Sequence, residues 1–373
     1  MTDFAGELAL WPKERKAHIL EKTTEDHIFK ILQKEILTPE DFLMLLSSCA
    51  RNLLEPIAQR AHTVTLQYFG HAVSIFTPLY ISDVCTNQCR YCGFNAKNKQ
   101  KRTHLTVEEA YAEAKVLHDQ GHRNILLLTG DAPKLSSPSY IAQVVRRIKP
   151  LFASVGIEVY SLSLDEYKML VEAGVDSMTM FQETYNPELY AWLHPVGPKH
   201  DYAWRLDAPR RACASGMRQV GIGALLGLDA FEEDTFATGL HAYWLSHAFP
   251  EVDISVSIPR ICPHEGSFTV EHAVDDKHFV QYIMALRLFL PRSCITCSTR
   301  ESAFMRDHLI PLGVTKVSAG VSTAVGGRAK GEKTPGQFEI TDHRSFEEML
   351  QALHNIGYQA VIKDWEDPTP KAV

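Results

Sequence analysis

"IEVYSLSLDEYKMLVEAGVDSMTMFQET", residues 157–184, holds two β-rich runs separated by one helix-length segment. Ser163 and Glu166 have the spacing of a capping box at the start of that helix. Gly174 stands where a C′ glycine stops a helix before the next strand. Strand, capped helix, glycine, strand is the repeating unit of a parallel α/β sheet. The same rhythm runs through the rest of the chain. "AVSIFTPLYI" (72–81), "NILLLTG" (124–130), "IEVYSL" (157–162) and "SMTMFQET" (177–184) are candidate strands. So are "QVGIGALLGL" (219–228), "DISVSIPR" (253–260), "CITCSTR" (294–300) and "KVSAGVST" (316–323). Thr106 with Glu109 repeats the capping box, and Gly121, Gly216, Gly313 and Gly357 repeat the stop. Several runs are continuously apolar, as expected of strands buried on both faces. An open doubly wound sheet is built from the same alternation. The count of eight units in about 290 residues favours a (β/α)8 TIM-type barrel.

Residues 1–70 read as an N-terminal helical extension. Thr38 is a candidate N-cap with Pro39 at the first helical position, and "LLEPIAQRAHTVTLQYFG" forms a helix ending at Gly70. The barrel is expected over 71–330, with a short C-terminal extension packing on it over 331–373. With 45% hydrophobic and 22% charged residues, the composition is that of an ordinary globular enzyme. A net charge of −7 gives no reason to expect nucleic acid or an anionic membrane as partner. The amino terminus lacks the basic start and apolar run of a signal peptide, and no apolar stretch approaches the ~20 residues of a membrane span. The expected location is therefore the cytoplasm, where eight cysteines stay reduced and serve as metal ligands or small buried residues.

In a barrel of this kind the chemistry gathers at the carboxyl ends of the strands. The first strand runs directly into Cys85, Cys89 and Cys92, a Cys-x3-Cys-x2-Cys loop. Three soft thiolates suit zinc or an iron–sulfur cluster. Structural zinc needs a fourth ligand, and neither His71 nor His104 has a usual spacing to the loop. A [4Fe–4S] cube on three cysteines leaves one iron free to bind a small molecule.

With Tyr91 just before the third cysteine, this loop resembles the hallmark of the radical S-adenosylmethionine (radical SAM) enzymes. The resemblance implies a [4Fe–4S] cluster whose open iron is chelated by SAM. It also implies that reduction splits SAM to methionine and a 5′-deoxyadenosyl radical, with a flavodoxin or ferredoxin-type protein as electron donor. Thr129, Gly130 and Asp131, ending "LLLTGD", match the place where the family binds the SAM amino group. "GIGALLGL", with Leu225, resembles the strand beside the adenine. Arg205 resembles the arginine that pairs with the SAM carboxylate, and Glu158 is expected near the ribose.

Most of the chain further resembles the aromatic amino acid lyases of this superfamily, nearest to the tyrosine lyase branch that serves thiamine biosynthesis. The matching words are "PLYISDVCTNQCRYCGF", "LLLTGD", "FQETYN", "RLDAPRRA", "GIGALLGL", "VSIPRICP", "STRESAFMRDHLIPLGVTKVSAG" and, near the end, "KDWED". The resemblance implies that Tyr80 touches the substrate amino group and that Arg300 clamps its carboxylate, assisted by Ser318 or Ser322. An arginine fork suits a planar carboxylate, although an ion pair with Glu301 is the structural alternative. The implied reaction breaks the Cα–Cβ bond of L-tyrosine, giving dehydroglycine and p-cresol, with thiazole synthase receiving the former. A hydrogenase-maturation tyrosine lyase carries a further cysteine-rich domain, whereas no cysteine follows Cys297 here. A tryptophan lyase differs only in pocket shape. A non-catalytic iron–sulfur carrier would not need the SAM-like strand ends. Cys294 and Cys297, three apart on a strand, point to opposite faces and read as packing residues. Cys49 and Cys213 read as core, and Cys262 could face the site.

Overall fold

The computed structural model describes residues 3–262, 268–329 and 336–363. Pro263 and most of "KDWED" lie outside these residues. Nine strands form one parallel sheet: β1 (Ala72–Ser82), β2 (Asn124–Thr129), β3 (Ser154–Glu158), β4 (Ser177–Glu183), β5 (Gln219–Ala224), β6 (Asp253–Ser257), β7 (Cys294–Cys297), β8 (Lys316–Ser318) and β9 (Gln359–Val361). β1 pairs with β2 through Thr77↔Ile125 and with β8 through Ser74↔Lys316, which closes the first eight into a barrel. The ninth strand was not expected. Ser74 is partnered by both Lys316 and Val361, so β9 lies on the β2 edge of β1, below the point where β2 begins.

The expected runs of β5 to β8 overshoot the strands, and their last residues are loops at the barrel mouth. β3 is displaced the other way. Pairing of Asn124 with Ser154 fixes its start, and it ends at Glu158 rather than Leu162. Tyr160 and Leu162 are as buried as strand residues, but Tyr160 donates its hydroxyl to the Ser136 carbonyl at 2.8 Å from a loop. An apolar run marks burial, and register alone decides whether it is strand.

Both expected capping boxes are formed, at Thr106/Glu109 and Ser163/Glu166. Gly174 takes φ 109° at the helix end, a left-handed cap that a side chain would strain. The N-terminal helices pack outside the barrel. Phe42 stacks on Phe289 at 4.6 Å between ring centres and fills space left by Gly239, where a Cβ would come within 2.3 Å of its ring. Among the described residues no helix is long and apolar enough to cross a membrane.

Side chains alternate across the barrel wall. Val155, Ile157, Met178, Met180, Ile295 and Val317 point outward and are buried beneath the helices. Ser154, Gly156, Glu158, Ser177, Thr179 and Ser255 point inward and line a cavity of roughly 1490 Å³ with its mouth included.

Residues 336–344 return across that mouth. Gln337 accepts a hydrogen bond from Tyr80 Oη at 2.9 Å, and Arg300 lies over the ring of Phe338 at 3.6 Å. Thr341 donates its hydroxyl to the Arg300 carbonyl (2.9 Å) and its amide to the Thr299 carbonyl (2.8 Å). The segment is anchored by Asp342, which pairs with the fully buried Arg306 and with Arg344 at 2.7 Å. Burial opposes the charged form of Asp342. The hydrogen bond from Arg344 and the charge of Arg306 outweigh it and hold the carboxyl below its usual range. A depressed carboxylate stabilises the fold above its unfolded pKa and loses that contribution as pH falls through the folded value. Asp342→Asn should therefore lower stability at pH 7 by about 3–5 kcal/mol, because Arg306 is left buried and unmatched. In denaturant titrations the gap to wild type should persist at about pH 5 and narrow below the ordinary Asp pKa of about 3.9.

Candidate active site

β1 ends at Ser82 and feeds the cysteine loop directly. The loop is braced by the end of β2. Asp131 accepts from the Asn87 side chain at 2.7 Å, and its carbonyl accepts from the amide and hydroxyl of Thr86, both at 2.9 Å. Gly130 donates to the Ser82 carbonyl at 2.8 Å and lies so close that a Cβ would meet the Val84 carbonyl oxygen at 2.4 Å. Thr129 pairs with Ser82 in the sheet, and its buried hydroxyl has no hydrogen-bond partner among the described residues. The three strand-end residues thus shape the loop itself. From the other side, Asn95 donates to the Cys89 carbonyl at 2.8 Å, and the Gln337 amide approaches Cys92 Sγ at 3.7 Å.

Cys89 is buried, Cys85 and Cys92 partly so, and all three are free thiols. Burial pushes the Cys85 thiol up to about 11 and raises Cys89 and Cys92 as well; each pair of thiols also disfavours joint ionisation. Three thiolates here need compensating positive charge. Lys199 supplies some, and cationic iron would supply the rest. No three Cys, His, Asp or Glu side chains among the described residues converge on the position of one metal ion. Three sulfur donors without a fourth ligand suit an iron–sulfur cluster, whereas a structural zinc takes four. Tyr91 lines the cavity beside them and meets His194 Nε2 at 2.7 Å. His194 Nδ1 faces the Tyr190 carbonyl at 2.8 Å and so carries the hydrogen, leaving Nε2 to accept from the phenol. Burial, then the charge of Lys199, holds this imidazole neutral, with a pKa of about 2.

Across the cavity stand Tyr80, Glu158, Glu183, Lys199, Leu225, Arg300 and Ser318. Arg205 lies just behind, donating to the Phe181 carbonyl at 2.7 Å and reaching Glu183 at 3.7 Å. Glu183 has φ 71°, the one positive φ at a non-glycine among the described residues. The β4–β5 register slips at this point, and the Glu183 carbonyl accepts from the Leu225 amide at 2.8 Å. Such strain persists only where the surroundings impose it, and here the carboxylate is gripped by Lys199 and Arg205.

Glu158 and Arg300 are treated differently. Neither side chain makes a hydrogen bond or ion pair among the described residues. Glu301, the alternative partner for Arg300, pairs instead with Arg260 (2.9 Å from Nε). Burial, followed by the charge of Glu183, raises Glu158 to about 7 against the pull of Arg300, Lys199 and Arg205. Ser318 faces the cavity, its buried hydroxyl without a hydrogen-bond partner among the described residues, whereas Ser322 lies outside the lining and caps the Ala324 amide at 3.3 Å. Of the remaining cysteines, Cys262 lines the cavity, Cys297 ends β7 and is buried, and Cys294 accepts from Thr315 at 3.4 Å.

Sequence reasoning missed Lys199, which sits in a single 3₁₀ turn (Pro198–His200), and Gln337 and Phe338, which sit in a loop; none carries a periodic signal. Glu183 was within "FQETYN", but nothing in that word announced its backbone strain.

Gly130→Ala should displace the Val84–Cys85 backbone and cut iron loading of anaerobically reconstituted protein to about half or less, with the circular dichroism of the barrel unchanged. Cys294→Ala and Cys297→Ala should load iron like wild type. Iron analysis and the visible absorbance of the cluster check both.

Comparison with known proteins agrees with this geometry. The family model for the radical SAM superfamily matches residues 79–238, and that for the biotin and thiamin synthesis associated domain matches 257–359. The chain is 38% identical over 346 residues to the 2-iminoacetate synthase of Salmonella typhimurium and 37% identical to that of Escherichia coli, covering 92% of this chain and of each relative. Among solved structures, HydG, a maturase of the [FeFe]-hydrogenase, superposes with a TM-score of 0.89 at 32% identity over 97% of this chain and 81% of its own. A radical SAM barrel with three thiols at its mouth, matched along nearly its whole length, places the chain in the 2-iminoacetate synthase family of radical SAM proteins, whose cofactors are a [4Fe–4S] cluster and SAM.

Proposed function

We propose that the protein is a tyrosine lyase that breaks the Cα–Cβ bond of L-tyrosine, releasing 2-iminoacetate (dehydroglycine) and p-cresol. The observation that carries this reading is the Arg300 guanidinium. It lies over the Phe338 ring at 3.6 Å inside the cavity next to the cysteine loop, with no ion-pair partner among the described residues. A half-buried arginine lining a cavity without a counterion is a site for an anionic ligand, and its fork matches an amino acid carboxylate. The identity to two 2-iminoacetate synthases supports tyrosine as that amino acid.

Cys85, Cys89 and Cys92 would hold the cluster, and Tyr91, Thr129, Gly130, Asp131, Arg205 and Leu225 the SAM. Together these cofactors supply a 5′-deoxyadenosyl radical that removes a hydrogen atom from the substrate. The chain's own residues do the rest. Arg300 fixes the carboxylate and Ser318 offers a hydroxyl beside it. Tyr80 remains a neutral phenol, because burial and then the charge of Glu158 raise its pKa, so it can hydrogen-bond the substrate amino group. The 336–344 segment covers the mouth and limits water entry, which matters for a radical and for an imine that hydrolyses readily. Radical SAM chemistry needs a one-electron reductant, for which a flavodoxin or ferredoxin-type donor in the cytoplasm is the expected partner. Direct delivery to thiazole synthase would spare the imine from hydrolysis.

Anaerobic turnover of tyrosine and tryptophan in parallel tests the assignment. The expected products are p-cresol and glyoxylate from tyrosine, and an indole product from tryptophan would move the protein to the sister activity. Arg300→Lys keeps the charge and loses the fork. Tyrosine affinity should fall about tenfold to a hundredfold, the equivalent of roughly 1.5–3 kcal/mol, while SAM affinity is unchanged. Titration calorimetry with each ligand measures the two separately.

A further inference from the structure

We infer that Glu158 receives the substrate's ammonium group and takes one proton from it, so that the amino acid is held as a neutral amine at the moment its N–H bond is attacked. This rests on the tyrosine-lyase reading and adds a catalytic residue to it. In the transfer one ammonium N–H bond breaks and one carboxyl O–H bond forms. The nitrogen keeps the electron pair, and Glu158 becomes a neutral acid.

The charges inside the cavity sort into two sets. Glu183 is held by Lys199 and Arg205 and is spoken for. Glu158, at the carboxyl end of β3, and Arg300, in the loop after β7, line the same cavity, and neither side chain has an ionic or hydrogen-bonding partner among the described residues. One unmatched anion and one unmatched cation in a partly closed space are the complement of a zwitterion. An α-amino acid brings an ammonium and a carboxylate on adjacent bonds, and the two ends satisfy the two sites together. Tyr80, from β1 with β2 lying between it and β3, lines the same cavity and can orient the amine between its phenol and the carboxylate.

The groups facing Glu158 support proton acceptance. β2 presents Leu126 and Leu128 to the cavity, with no titratable side chain. Tyr80 comes from β1, Glu183 from β4, Lys199 and Arg205 from the segment after β4, and Arg300 from the far wall. Burial and the Glu183 charge leave the Glu158 carboxyl with a pKa of about 7. A base with that affinity for protons can share one with an amino group that is protonated in water at neutral pH. Hydrogen abstraction from an ammonium would leave a nitrogen both cationic and electron-deficient. From the neutral amine it leaves an aminyl radical, whose formation needs no further charge separation.

The test uses the reconstituted holoenzyme with SAM. Binding of tyrosine is compared with that of p-hydroxyphenylpropanoate, which lacks the amino group, in wild type, Glu158→Gln and Glu158→Asp. Wild type should prefer tyrosine by at least about tenfold. Glu158→Gln should shrink the preference to about twofold or less, and Glu158→Asp should recover part of it, with SAM affinity unchanged throughout. In wild type the kcat/KM for p-cresol formation should rise with pH through an apparent pKa near 7. That acid limb should vanish from the residual activity of Glu158→Gln. Retained discrimination in Glu158→Gln overturns the inference. So does a loss of SAM affinity with discrimination intact, which would return Glu158 to the ribose. Wild type that binds no tyrosine overturns the lyase reading and this inference with it. Wild type that makes p-cresol while Glu158→Gln matches it overturns the inference alone.

Discussion

Arg306 is buried completely, and its burial is tolerable because Asp342 and the Ser318 carbonyl meet its guanidinium. Much of the site follows from this one contact. Arg306 sits on the helix after Arg300, Ser318 ends β8, and Asp342 belongs to the segment that crosses the mouth. Tying them together sets the height of Gln337 and Phe338 above the cavity, and those two touch Tyr80, Cys92 and Arg300. A buried pair of this kind contributes little net stability compared with an apolar replacement. Its value here is positional, because a carboxylate that must find a buried guanidinium allows the crossing segment only one place to lie.

The same logic divides the cavity. Glu183 is matched twice and is held in a strained conformation that its partners enforce. The unmatched pair, Glu158 and Arg300, stands ready for a ligand that brings both signs of charge. The Glu183 charge is satisfied within the protein, and those of Glu158 and Arg300 are left for the ligand.

The barrel was legible in the sequence because its punctuation is local. Capping boxes at Thr106 and Ser163 and the stop at Gly174 act over three or four residues, so the count of units could be read directly. The cysteine loop was legible for the same reason, its three thiols lying within eight positions. What failed to show was set by distant partners. β3 starts at Ser154 because Asn124 pairs with it, and β9 exists because Ala72–Ser74 offers a free edge to a chain segment nearly 290 residues away. Gln337 and Phe338 reach the site along irregular backbone and Lys199 on a single 3₁₀ turn, too short for a period to be read. Glu158 was visible as a strand-end acid, but its lack of a hydrogen-bonding or ion-pair partner among the described residues is a property of the closed barrel.

The inward face of the barrel carries a cost that the outward face offsets. Ser154, Gly156, Ser177, Thr179, Ser255 and Thr296 leave an open polar interior where many barrels pack branched apolar side chains in layers. The cavity therefore contributes little apolar burial, and the strands must be held from outside. Val155, Ile157, Met178, Ile295 and Val317 do this against the helices, each close to fully buried. Arg287 locks the far end by donating to the carbonyls of Pro291, Ser293 and Gly313 at 3.1, 2.9 and 2.7 Å. Stability and function are thus carried by opposite faces of the same strands. Substitutions on the inner face remove few packing contacts and leave no new cavity in a dense core, so their thermodynamic effect stays small. For that reason a change in ligand binding on replacing Glu158 can be read as chemistry, whereas the same substitution at Ile157, one residue back along the strand, would mainly report unfolding.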